Sequence, residues 1–154
     1  MTIAPIAPAA EPVVPVQPPP VVERYPYNPE SVDLARRLVK ATLSEWGLPE
    51  LADAAVLVVA ELVKNALHTG CATTMRVSVH QIGARAVQIA VRDGSRSLPV
   101  MIQPGVGDDS THGLPLVHKI TGGRWGASLD PFGKVVYAHI GRTGHLSRPA
   151  LCTD

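Results

Sequence analysis

An unusually apolar stretch carries four polar side chains at regular spacing. Glu61, Lys64, Asn65 and His68 fall at i, i+3, i+4 and i+7 among Val56, Leu57, Val58, Val59, Ala60, Leu62, Val63, Ala66 and Leu67. On a helix these four line one narrow face. Two readings are open. A solvated helix edge with a Glu61 to Asn65 contact needs nothing beyond this spacing, since such pairs are ordinary on helices. The alternative is a site. The amide oxygen of Asn65 suits a hard cation such as Mg2+, which takes oxygen ligands and fills its other positions with water and phosphate. Glu61, one turn earlier, would then deprotonate a water or hydroxyl attacking a phosphate.

Two further segments offer complementary chemistry. Asp93 is followed at once by Gly94, then Ser95, Arg96, Ser97, Leu98 and Pro99. A carboxylate at a strand end can accept a hydrogen bond from the exocyclic amine of a purine, and the missing side chain of Gly94 lets a ring approach. Asp-Gly as a plain turn is the simpler alternative. Ser110-Thr111-His112-Gly113-Leu114 leads into a short apolar segment. The free N–H groups of a helix N-terminus suit a phosphate, and Gly113 allows close approach; a simple helix cap is the other reading. No GxxxxGK loop occurs, and Asp130-Pro131-Phe132-Gly133 reads as a hairpin turn rather than a kinase magnesium motif.

These residues need elements to hold them. Ser31 precedes Val32, Ala35, Leu38, Val39, Leu43 and Trp46, whose spacing predicts an amphipathic helix with a Ser cap, stopped by Gly47-Leu48-Pro49. A longer helix is expected from about Glu50 to His68, ending at Gly70. Its apolar residues cover most of its circumference, which implies a central, buried helix. Strands at about Met75–His80 and Ala86–Val91 form a hairpin. The stretch from Asp93 to His112 reads as a long loop, of the kind that serves as a lid or binding loop. Leu114–Ile120 reads as a short helix with Pro115 in its first turn, and Arg124–Leu129 with Lys134–Ile140 as a last hairpin. The order predicts an α+β fold, a two-layer sandwich of a mainly antiparallel sheet covered by helices on one face.

Composition sets the surroundings. Of the 15 prolines among 154 residues, nine lie in residues 1–29, so that segment is expected to be an extended, mobile tail. Residues 30–141 would form the domain and 142–154 a flexible C-terminal tail. The formal net charge of +1 comes without a basic block or stripe, which argues against direct nucleic-acid binding. The chain has no apolar run long enough to span a bilayer and no signal-peptide pattern at its start. Two cysteines, Cys71 and Cys152, make no disulfide framework. A cytoplasmic setting is expected. With one Phe, three Tyr and two Trp in the whole chain, the core must be aliphatic.

Taken together, three segments are more specific than any one. Glu61-Leu62-Val63-Lys64-Asn65-Ala66, then Val91-Arg92-Asp93-Gly94 after a hairpin, then Gly113-Leu114-Pro115-Leu116-Val117 after a long loop, resemble the GHKL (Bergerat-fold) ATP-binding domain. More narrowly, they are similar to small actinobacterial regulatory proteins related to the anti-sigma-factor serine kinases RsbW and SpoIIAB. The resemblance runs from about Ser31 to Ile140 and includes Trp125-Gly126 and the ending Gly133-Lys134-Val135-Val136-Tyr137-Ala138. It implies ATP and Mg2+ as cofactors, Glu61 as general base, Asn65 as Mg2+ ligand, Asp93 as the adenine-binding carboxylate and Gly113 as a lid glycine near the phosphates. Gly94, Thr111, His112 and Leu114 join these as candidate nucleotide contacts. It further implies transfer of the ATP γ-phosphate to a serine of an antagonist protein, sequestration of a sigma factor, and a homodimer. Thr111-His112-Gly113 stands where the family has Gly-x-Gly, Ser95 stands where a Gly is usual two positions after Asp93, and Pro115 stiffens the start of the next helix. These departures bear on phosphoryl transfer more than on nucleotide binding, because that step depends on positioning and electrostatics. The competing expectation is therefore a catalytically weakened GHKL module acting as a protein-binding adaptor. A detached sensor-histidine-kinase domain fits less well, since His68, His80, His112 and His118 all fall in or beside ATP-domain elements.

Overall fold

In the computed structural model, residues 17–69, 74–94 and 113–141 are described. The sheet begins earlier than the proline count predicts. After Pro18-Pro19-Pro20 the chain enters strand β1, Val21–Pro26, which pairs antiparallel with β2, Thr74–Gly83. This corrects the boundary placed at residue 29, because the segment expected to be tail supplies a strand. The prolines permit it: β1 is the edge of the sheet, where a residue without an N–H is tolerated, and Pro26 closes the strand. The remaining tail residues 1–16 and 142–154, Cys71, and the loop residues 95–112 lie outside the described residues.

Helix α1 spans Glu30–Glu45. Ser31 does not cap it. Pro29 occupies the cap position, and the buried Ser31 hydroxyl instead donates to the Pro26 carbonyl at 2.6 Å, tying the helix start to the end of β1. At the other end the N–H groups of Gly47 and Leu48 return to the Ser44 and Leu43 carbonyls, which consumes acceptors the helix cannot satisfy itself. A single 3-10 turn, Pro49–Leu51, precedes helix α2, Ala52–Thr69, so the second helix starts slightly later than expected. Strand β3 is Ala86–Asp93, helix α3 is Gly113–Thr121, and strands β4 and β5 are Trp125–Asp130 and Gly133–Gly141.

Among the described residues the five strands run in the order β1-β2-β3-β5-β4, and every neighbouring pair is antiparallel. The predicted α+β sandwich is what forms. Period-two alternation sends Met75, Val77, Val79, Ile89, Val91, Val136, Ala138 and Ile140 to one face, where all are buried. Against them lie Ala35, Val39 and Leu43 of α1 and Val58, Val59, Leu62 and Val63 of α2. Helix α2 touches α1, α3, β3 and β5 and is the central helix its apolar circumference predicts. At about 1.5–3 kcal/mol for each fully buried Val or Leu, this aliphatic layer is the main source of stability. No helix among the described residues is long and apolar enough to cross a membrane.

Among the described residues, no helix lies on the opposite face of the sheet. There Gln88 Oε1 lies 2.9 Å from Nε2 of His139, and the His139 ring packs at 5.6 Å between centroids against Tyr137. Burial, reinforced by the Arg124 charge, holds the His139 pKa below its ordinary value of 6.5. The folded state thus binds a proton at this ring less readily than the unfolded chain does. The stability from a neutral His139 is complete above about pH 6.5 and is lost as the pH falls through the lower, folded-state value. Urea unfolding at neutral pH and near pH 5 should show that loss in the parent, and a smaller one in His139→Gln.

Candidate functional site

Helix α2 presents Glu61 with its side chain only 10% exposed, aimed at the start of α3. Its Oε2 accepts the Gly113 N–H at 2.9 Å, and its Oε1 lies 3.5 Å from Lys64 Nζ on the same face of α2. A carboxylate here satisfies an orphan donor at the N-terminus of α3. Gly113 enters the helix with φ of +66°, a left-handed conformation that a side chain disfavours. Leu114, next along, is buried in the core and anchors the helix end in place. Asn65 follows Glu61 by one turn and is half-buried. Thus the predicted base and the predicted lid glycine are in direct contact, and Asn65 shares their side of α2. Thr111 and His112 fall outside the described residues.

Asp93 ends β3 on the helix-covered face and is nearly fully buried. Directly opposite it in the ladder stands Lys134, wholly buried, with Nζ 3.4 Å from Asp93 Oδ2. The close approach of β5 to β3 requires the glycine before that lysine, since a Cβ at Gly133 would lie 2.0 Å from the Asp93 carbonyl oxygen. Gly94 donates its N–H to the Tyr27 hydroxyl at 3.2 Å, which fastens the end of β3 to the segment between β1 and α1. Asp93 and Gly94 are therefore held by Lys134 and Tyr27, neither of which was among the predicted site residues. Lys134 had a legible signal: it occupies the face that Val136, Ala138 and Ile140 occupy at two-residue steps. Tyr27 had none, because it sits where the prolines predict a tail.

The donor set bears on what the site can hold. Among the described residues no group of three or more His, Cys, Asp or Glu side chains could hold a metal ion. A cation beside Asn65 would take an oxygen or two from the chain and the rest from phosphate and water, which suits Mg2+ carried with a nucleotide rather than a resident metal. Geometry and residue types agree on a shared arrangement: a carboxylate and an amide one turn apart on a buried helix, a buried carboxylate at a strand end, and a glycine-led helix facing the first.

That arrangement, on a five-stranded antiparallel sheet with helices on one face, defines a GHKL-type ATPase domain. The chain belongs to the histidine kinase-like ATPase domain family, whose model matches residues 25–122. The match starts inside β1, in agreement with the structure rather than with a tail reaching residue 29. Its fold is similar to the crystal structure of the RsbU and RsbW domains of Rv1364c from Mycobacterium tuberculosis. The TM-score is 0.60 at 17% identity, over 81% of this chain and 33% of that one. This chain thus spans about a third of the length of that two-domain chain. Among curated proteins none matches the sequence.

Proposed function

We propose that the protein is a Mg·ATP-binding regulator that phosphorylates a serine of an antagonist protein and, in the manner of anti-sigma factors, binds a sigma factor. The observation that supports this most directly is the placement of Glu61, nearly buried, one turn from Asn65 and hydrogen-bonded to the Gly113 N–H. When bound, Mg·ATP supplies the transferable phosphoryl group. Asn65 would hold the cation through its amide oxygen, Asp93 would accept the exocyclic amine of the adenine, and the start of α3 would face the phosphates. Glu61 would take the proton of the serine hydroxyl as its oxygen bonds to the γ-phosphorus and the bond to the β–γ bridging oxygen breaks. The buried Lys134 acts by fixing Asp93, and Tyr27 by fixing the Gly94 backbone. Assembly as a homodimer and a cytoplasmic setting complete the proposal.

One observation favours the adaptor alternative. Thr111 stands where a glycine would bring backbone to the phosphates, so nucleotide binding without efficient transfer is its specific expectation. Calorimetric titration with ATP, with and without Mg2+, tests the shared premise. Saturable, Mg2+-dependent binding is expected, weakened roughly tenfold or more in Asn65→Ala, in which the amide oxygen is gone. Absence of binding at high ATP would overturn both nucleotide readings.

A further inference from the structure

The sheet face opposite the described helices carries a row of side chains that are not among the proposed nucleotide contacts. Arg24 of β1 is directly opposite Arg76 of β2, and Arg76 is directly opposite Arg92 of β3. The flanking residues Tyr25, Met75, Val77 and Val91 belong to the core side, so alternation puts all three guanidinium groups together on the other. Cross-strand neighbours stand roughly 4.5–5.5 Å apart at Cβ, and like charges so placed destabilise a sheet. Arg92 is relieved by an ion pair with Asp130 of β4. Arg24 and Arg76 are exposed, and among the described residues neither meets a carboxylate. The row lines a shallow cavity of about 180 Å3 together with Phe132 and, at its inner end, Gly94 and Asp93, whose carboxylate is turned to the core side against Lys134. Phe132, at the β4–β5 turn, is 82% exposed.

We infer that this face docks an acidic segment of a partner protein, with carboxylates on Arg24 and Arg76 and an apolar side chain against Phe132. Charge complementarity selects that occupant. Guanidinium groups bind carboxylates through paired, charge-assisted N–H donors, and the cross-strand row offers two side by side that no carboxylate among the described residues neutralises. An exposed aromatic beside them suits a peptide better than a bare anion. The chain's own residues 1–16 and 142–154 contain one acidic side chain each, Glu11 and Asp154, too few to match the row, and the Asp108-Asp109 pair is flanked by Gly107 and Ser110, without the adjoining apolar side chain that Phe132 would meet. A second copy docked face to face would bring arginine towards arginine. A nucleic acid would need a longer basic track than three arginines, one of them already paired, on a chain of net charge +1.

The test uses the full chain and a fluorescent peptide rich in Glu with one central Leu, followed by anisotropy. A Gln-for-Glu peptide, inorganic phosphate and duplex DNA serve as competitors. Binding is expected to fall as salt rises, to weaken about tenfold in Arg24→Gln/Arg76→Gln, and to weaken in Phe132→Ala. Thermal midpoint should be unchanged or raised in the double variant, since a repulsive pair has been relieved, and ATP titration should be unchanged in both. That last readout separates this inference from the proposed ATP site, because either can fail with the other intact. Equal binding of the Gln peptide, or no loss in the double variant, overturns the inference. Displacement by phosphate or DNA at lower concentration than by unlabelled acidic peptide overturns it too, as does an arginine-dependent dimer in place of peptide binding.

Discussion

Lys134→Met should cost about 3–5 kcal/mol of folding stability, because it leaves the Asp93 carboxylate buried without its cation. Both side chains are essentially inaccessible, at 0% and 1% exposure, and their charged atoms lie 3.4 Å apart. Taking either charge out of water is costly, and their attraction offsets that cost only while both are present. A domain of this size has about 5–15 kcal/mol in total, so the loss should lower the urea midpoint sharply with little change in slope. Removing both charges together, in Lys134→Met/Asp93→Leu, should recover much of the stability, since a well-packed apolar pair replaces the buried ions. The double variant should nonetheless fail to bind ATP if Asp93 contacts the adenine. A single-variant cost below about 1 kcal/mol would mean that the pair is hydrated and does not organise the end of β3.

The second large effect concerns Glu61. If Glu61 is the general base, Glu61→Gln should lower phosphoryl transfer to an antagonist serine by about 10²–10⁴-fold while ATP affinity changes little. Gln is the informative substitution because its amide oxygen can still accept the Gly113 N–H, which Glu61 now holds at 2.9 Å. Glu61→Ala removes both the base and that contact. Labelled phosphate appearing on the antagonist at the parental rate in Gln but not in Ala would make Glu61 a positioning residue for α3. Loss in both, with binding of ATP retained, is the expected result for a base. If Glu61 is the base, the hydrogen bond to Gly113 would link proton abstraction and the position of α3 through one side chain.

Much of this architecture was legible along the chain. The buried character of α2 follows from Val58, Val59, Leu62 and Val63, and the polar face from Glu61, Lys64, Asn65 and His68, because helical period is a local property. The two hairpins and the short helix after Gly113 were equally local. The failures share another cause. Ser31 has the residue type of a cap, yet its hydroxyl found the Pro26 carbonyl once β1 lay beside α1. Val21–Pro26 lies among prolines, and only the neighbouring β2 makes it a strand.

By itself the sequence determined which residues share a face of each element, and so placed Glu61 with Asn65 and set Asp93-Gly94 and Gly113-Leu114 at element ends. Tertiary structure alone decided which faces meet. It put Gly113 on Glu61, Lys134 on Asp93, Tyr27 on Gly94 and three arginines in one row. The physical reason is strand register and helix packing. They bring together residues as far apart as positions 27 and 94, and they are fixed by burial summed over the whole core, which no local spacing encodes.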